Sequence, residues 1–294
     1  MPMIVKFWGV RGSIPVTAQR ARVFGGNTPC VEVRCNDDVF ICDAGTGIRE
    51  LGRDLARRAP APKAVHLFLS HLHLDHIQGL PFFLAAVPKL TVRIYGLSEE
   101  DTSRQRLLCG ELGAEFFAQN PAAGRARLEF DHFEDDALNI AGVRVRAIAL
   151  QHPGGCHGFV FEHDGSKVVY ASDVDLGVGA EDARERTASS DLLTLRPVPR
   201  PLLHAARGAD LLIVDGQYDD AQYRDHMGSG HSSCLTATDL AIQADVKQLA
   251  LFHHDPDDRD ADLEAKVKLC QLRAAKLGAD FPIFAAREGV ALKL

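Results

Sequence analysis

No apolar run in this sequence approaches the roughly 18 to 20 residues that a membrane-spanning helix needs. The opening stretch, Met1-Pro2-Met3-Ile4-Val5-Lys6-Phe7-Trp8, has no charged leader before an apolar core and no export cleavage pattern, and is expected to form a first strand. Paired cysteines are missing as well. Seven cysteines, an odd number, lie at positions 30, 35, 42, 109, 156, 234 and 270, and none belongs to a Cys-x-x-Cys pair. That spacing excludes a zinc ribbon or a dithiol redox motif, and thiols in strand-like runs serve as small apolar fillers. A reducing, cytoplasmic setting is expected. Basic charge is also short: a net charge of −7 and a pI near 6 give no general attraction for polyanions.

What is present is the composition of an ordinary soluble protein, 46% hydrophobic and 25% charged over 294 residues, enough for one large domain or two small ones. No repeat, low-complexity tract or linker interrupts the chain, so a single domain over 1–294 is expected, with an inserted loop or lid at about 177–200. Strands are expected at 3–8, 30–35, 39–42, 64–69, 91–95, 128–130, 142–150, 158–163, 167–171, 211–214 and 247–252. Asp164-Gly165 is a favoured turn pair for a hairpin. Ile48, Leu51 and Leu55 recur on one helical face, and helices are expected also after Gln78 and over 98–118, 202–208 and 260–277.

The chemistry gathers in Ser70-His71-Leu72-His73-Leu74-Asp75-His76, three imidazoles and a carboxylate directly after an apolar strand. Four such donors at this spacing read as a metal site, since borderline cations such as zinc favour imidazole and carboxylate together. Strand after strand then ends in a metal-capable residue: Asp43, His71, His152, Asp173, Asp215 and His253 each follow an apolar run, and at one edge of a sheet sandwich they would converge. Arg11, between two glycines, reads equally as a surface charge or as an anion contact.

This set resembles the metallo-β-lactamase-fold hydrolases. Asp43 sits in an Asp-Ala-Gly turn, His71, His73, Asp75 and His76 fill a His-x-His-x-Asp-His motif, and His152, Asp173 and His253 follow in order. The resemblance implies an αββα sandwich, an α/β fold of two mixed sheets flanked by helices. It implies two divalent metal ions: one held by His71, His73 and His152, the other by Asp75, His76 and His253, with Asp173 bridging. Zinc is the expected ion, with manganese or iron suiting the same donors. Asp43 would orient a ligand or the water, Asp75 counts as catalytic as well as ligating, and His254 is the alternative to His253.

Asp215 and Gly230-His231-Ser232-Ser233 look like the ribonuclease Z and phosphodiesterase branch, where such a histidine protonates the leaving oxygen or binds the phosphate. By that resemblance His231 is the candidate general acid and Asp215 its orienting partner. The segments around Arg11 and Ser13, around Asn27, and His76-Ile77-Gln78-Gly79-Leu80-Pro81 look like a bacterial group of phosphodiesterase-like hydrolases, which makes Arg11, Ser13 and Asn27 candidate substrate contacts. The expected reaction is phosphodiester hydrolysis in a small or cyclic nucleotide-like substrate by a metal-bridging hydroxide. An RNA-processing nuclease of ribonuclease Z type and a thioesterase of glyoxalase type are the alternatives. No basic arm for docking RNA is visible: the insert sets Arg184, Arg186, Arg196 and Arg200 against Glu181, Asp182, Glu185 and Asp191. A homodimer is compatible with this branch, and no membrane association is expected.

Overall fold

Alternating burial along the first strand, Ile4–Gly9 (β1), shows how the polypeptide is layered: Val5, Phe7 and Gly9 face inward between less buried neighbours. A computed structural model describes residues 2–17, 19–60, 62, 64–88, 90–96, 126–131, 133, 137–177 and 194–294. Beside β1, the first sheet contains Cys30–Cys35 (β2), Asp38–Cys42 (β3), Ala64–Phe68 (β4), Thr91–Tyr95 (β5), Arg127–Phe130 (β6) and Ala291–Lys293, the fourteenth strand (β14). The second contains Ala137–Ile140 (β7), Val143–Leu150 (β8), Cys156–His163 (β9), Ser166–Ala171 (β10), Leu211–Asp215 (β11), Leu249–Phe252 (β12) and Ile283–Ala285 (β13). Their orders are β14-β1-β2-β3-β4-β5-β6 and β13-β12-β11-β10-β9-β8-β7. Each sheet is mixed, with antiparallel pairs at one side giving way to parallel pairs at the other.

The inner faces meet in a core of aromatic and β-branched side chains, including Phe7, Phe40 and Phe68 from the first sheet and Phe159, Phe161, Tyr170 and Phe252 from the second. Phe68 stacks on Tyr95 with centroids 4.6 Å apart and meets Phe161 edge-on. Outside the first sheet lie the helices Ile48–Leu55 (α1) and Leu80–Ala86 (α3), the short Leu74–Ile77 (α2) carrying two of the expected ligands between them in sequence. Outside the second lie Arg200–Ala206 (α4), Cys234–Gln243 (α6) and Asp260–Lys276 (α7), while Asp220–Asp225 (α5) is a short helix with a complete capping box. The result is the αββα sandwich.

Most expected elements are present, with shifted ends. Helix α4 starts at Arg200 rather than 202 because Pro201 fits a first helical turn, where no N–H partner is needed. Strand β7 and helix α5 were not anticipated from the sequence. The helix expected over 98–118 and most of the insert, residues 178–193, lie outside the described residues. No helix among the described residues is long and apolar enough to cross a membrane.

Candidate metal centre

The site is built where parallel strands end together. Carboxyl ends of parallel neighbours lie at one sheet edge, the usual place for a binding crevice in α/β sheets. Asp43 follows β3, Ser70 to His76 follow β4, and His152, Asp173 and His253 follow β8, β10 and β12, while Asp215 is the last residue of β11.

The donor atoms form three groups, of which the third, Asp173, His231 and His253, overlaps the other two. His71, His73, His152 and Asp173 bring ligand atoms within 4.8 Å of one another, and so do Asp75, His76 and His253. His152 Nε2 lies 3.1 Å from His73 Nδ1, and His253 Nε2 lies 3.3 Å from His76 Nε2 and 3.2 Å from Asp75 Oδ2. Asp173 stands between the groups. Its Oδ1 is 3.2 Å from His76 Nε2 and 3.4 Å from His253 Nε2, and its Oδ2 is 3.7 Å from His71 Nε2 and 3.8 Å from His152 Nε2. A carboxylate that offers one oxygen to each group has the geometry of a bridge.

The outward faces of the imidazoles are occupied, which fixes the nitrogen left free. His76 Nδ1–H donates to Asp43 Oδ2 at 2.8 Å, His152 Nδ1–H to the Gly230 carbonyl at 2.8 Å, and His253 Nδ1–H to Gln217 Oε1 at 2.9 Å. His71 Nδ1 lies 3.0 Å from the Ser70 hydroxyl. On the inner side, His71 Nε2 is fully buried and has no hydrogen-bond partner, an orphan that a cation would satisfy. Two of these groups already have the protonation state a cation needs. Burial, and then the neighbouring His76, push the His71 pKa down to about 2, so its imidazole is neutral. Burial opposes ionisation of Asp173, yet the facing His253 and His76 outweigh it and hold the carboxyl well below its usual range. His76 is pushed the other way: burial opposes its charge, but the carboxylates of Asp173, Asp43 and Asp75 prevail and raise its pKa well above the usual value, so a divalent cation would have to displace its proton.

Asp43 is fully buried, and its carboxylate takes four donors: the Ser70 amide at 2.7 Å, the Ser70 hydroxyl at 2.8 Å, His76 Nδ1–H, and the Tyr170 hydroxyl at 2.6 Å. Its φ of +63° turns the chain out of β3 so that the carboxylate sits beneath His76. The adjacent histidines point in different directions: His254 Nε2–H donates to the Ala286 carbonyl at 2.8 Å, while His253 faces the donor cluster.

His231 lies beside this cluster. Its ring stacks on His253 at 4.8 Å between centroids, and its Nδ1 lies 2.7 Å from Asp215 Oδ2 and 4.0 Å from Asp173 Oδ2. Asp215 is itself immobilised, accepting the Gln217 and Ser232 amides on Oδ1. Burial works against a charged His231, but the Asp215 carboxylate prevails and pushes its pKa up to about 9. With Nδ1 tied to Asp215, Nε2 is the nitrogen left to meet a substrate.

Two of the expected substrate contacts are turned elsewhere. Arg11 is fully buried, its Nε donating to the Gly25 carbonyl and its Nη1 to the carbonyls of Asp255 and Asp258, so the guanidinium clamps the loop after His253 instead of facing the cleft. Asn27 spends its side chain on Glu288 and the Thr46 hydroxyl. Ser13 does reach the site, but through its backbone: its amide donates to Asp75 Oδ2 at 2.8 Å while the side chain is exposed. The sequence reading missed Gln217 and Tyr170, whose partners are remote in sequence. It also missed two close backbone approaches. A Cβ at Gly12 would stand 2.4 Å from His253 Nδ1, and one at Gly230 2.3 Å from His152 Nδ1, so only glycine lets these segments pack against the imidazoles.

Residues 39–196 match the family model described as the beta-lactamase superfamily domain. The chain belongs to the metallo-β-lactamase superfamily. Its curated relatives are hydrolases. A ribonuclease Z from Natronomonas pharaonis is 24% identical over 305 aligned positions, covering 89% of this chain and 92% of that protein. A ribonuclease Z from Streptococcus suis is 29% identical over 255, covering 74% of this chain and 79% of its own length. Among solved structures, the metallo-β-lactamase fold protein YhfI from Bacillus subtilis superposes with a TM-score of 0.69 at 19% identity, each chain covered in full.

Proposed function

We propose that this hydrolase carries two divalent cations and cleaves a phosphodiester bond in a small or cyclic nucleotide-like substrate, with His231 as general acid. The observation that carries the reading is the Asp215–His231 pair, an imidazole held at 2.7 Å by a buried carboxylate and stacked on His253 beside the donor cluster. His71, His73 and His152 would hold one cation and Asp75, His76 and His253 the other, with Asp173 shared. Cations bound there lower the pKa of water toward neutrality and neutralise charge growing on the phosphoryl oxygens. Zinc suits these donors best.

The residues of the chain do the rest. Hydrolysis of an unactivated ester expels an alkoxide, and a proton delivered to that oxygen removes the most costly charge in the reaction. His231 is protonated at neutral pH and gives that proton from Nε2, while Asp215 fixes the ring and stabilises its charged form. Asp43 holds the His76 ring, and the Ser13 amide holds the Asp75 carboxylate. Thioester hydrolysis does not need such an acid, because a thiolate leaves without a proton; a lactam nitrogen does need one, so the pair weighs against the thioesterase reading only.

The ribonuclease Z relatives favour a second reading, RNA processing by the same chemistry. The net charge of −7 supports the smaller substrate, since affinity for folded RNA rests on phosphate neutralisation. Turnover of bis-p-nitrophenyl phosphate, compared with a lactam and a thioester, tests the reaction class. Phosphodiester cleavage alone is expected, and cleavage of the thioester alone would sink the proposal. Cyclic nucleotides and short oligonucleotides assayed against a folded RNA then separate the two substrate readings.

A further inference from the structure

The two imidazoles of the Asp75–His76–His253 group are not supported alike. His76 is backed by the Asp43 carboxylate, whereas His253 is backed by the neutral amide oxygen of Gln217 at 2.9 Å. Gln217 is only 3% exposed, and behind it lies a buried charged assembly that the catalytic reading does not use. Lys266 on α7, 5% exposed, donates to the Gln217 carbonyl and to Asp258 Oδ2. Asp258 lies in the loop that leaves His253, and its carbonyl is one of the two that Arg11 clamps. A buried ammonium is costly unless it is paired and hydrogen-bonded, and this one spends its contacts on the residue that orients His253 and on the loop that follows it.

His253 needs that support. Its φ of +57° is a conformation that side-chain-bearing residues rarely adopt, and its ring is pressed against the Gly12 backbone. An imidazole can carry its proton on either ring nitrogen. With an acceptor at Nδ1, the proton stays there and Nε2 is left bare toward Asp75, His76 and Asp173. Without the acceptor, the tautomer that blocks Nε2 becomes competitive.

Resting on the dinuclear reading, we propose that Gln217, anchored from behind by Lys266, is a positioning residue that sets the affinity of the Asp75–His76–His253 site for its cation. Loss of such an outer partner typically costs about ten- to a hundred-fold in metal affinity. The group around His71, His73 and His152 does not share this support, so the two sites respond differently.

The test is titration of chelator-treated protein with Zn2+ against a chromophoric competitor, on wild type and the variants Gln217→Leu and Gln217→Glu. Wild type is expected to bind two ions. Gln217→Leu is expected to keep one ion at its wild-type affinity and to weaken the other about ten- to a hundred-fold, while Gln217→Glu, which retains the acceptor, holds both ions. The double variant Lys266→Met/Asp258→Asn, which removes both charges together, is expected to weaken the same ion. If wild type binds fewer than two ions, the dinuclear reading fails. If wild type binds two and Gln217→Leu holds both with unchanged affinity, or Gln217→Glu loses the ion as Gln217→Leu does, the positioning role of Gln217 is overturned alone. Circular dichroism of each variant separates a local loss from a failure to fold.

Discussion

His231 and Asp215 divide the work of a proton donor between two residues 16 positions apart. His231→Ala is expected to retain both cations and to slow hydrolysis of alkyl phosphodiesters by about 10²- to 10⁴-fold, the range of general acid catalysis. The loss on bis-p-nitrophenyl phosphate should be much smaller, because p-nitrophenolate leaves without a proton; equal losses on both esters would remove the general-acid role. The pH dependence has a definite sign. Activity on alkyl esters should fall as pH rises through about 9, where His231 gives up its proton. Since Asp215 is what lifts that value, Asp215→Asn should move the alkaline limb to lower pH, which a kcat/KM profile against pH would register. Much of the donor cluster was legible in the sequence because its residues are announced locally: His71 to His76 form one short run, and the others follow apolar strands directly. The fate of Arg11 was not legible. A cation between glycines looks the same on paper whether it faces a phosphate or folds back on the carbonyls of residues about 245 positions later.

At the level of strands and turns, legibility followed the strength of local signals. The turn between β9 and β10 is Asp164-Gly165, both at positive φ, as the dipeptide promises. Between β7 and β8 the same backbone is made by Ala141-Gly142, with φ of +51° and +82°, and alanine carries no such signal, so that hairpin went unseen. Inside the first sheet, β4 buries His66 against Phe40, with its Nδ1 3.0 Å from the Tyr95 hydroxyl. Burial, and then the nearby Arg93, push its pKa down to about 4. Below about 6.5 an unfolded chain protonates this residue while the folded one does not, so the unfolded state binds more protons and stability falls with pH until the folded group titrates near 4. In that window the contribution is at most about 1.4 kcal/mol per pH unit. His66→Phe should flatten the dependence of denaturation free energy on pH between 6.5 and 4. An unchanged slope in urea melts would show that His66 is not the group responsible.

Over the whole molecule, the proposed metal centre is drawn from both sheets, with one ligand cluster after β4 and partners after β8, β10 and β12. Cations bound across that junction recognise the folded arrangement only, so they stabilise it by mass action. Chelation should lower the melting temperature, with about 2.7 kcal/mol lost for each ion that had been present at a hundred times its dissociation constant. A melting temperature unmoved by chelator, after metal analysis confirms removal, would argue that the sheets dock without help. Acid should act in the same direction, because protonated imidazoles release the cations.

The pairing of β14 with β1 has a consequence for synthesis. Lys6 at the edge of the first sheet finds its partner at Ala291, and Ile4 at Lys293. A ribosome therefore adds 285 residues after Lys6 before that edge can be closed. Through this time β1 offers open backbone donors and acceptors to any neighbouring chain. The nascent polypeptide is thus exposed to strand capture longer than its final shape suggests, and shielding of β1 by a chaperone would matter most just before residues 291–293 emerge.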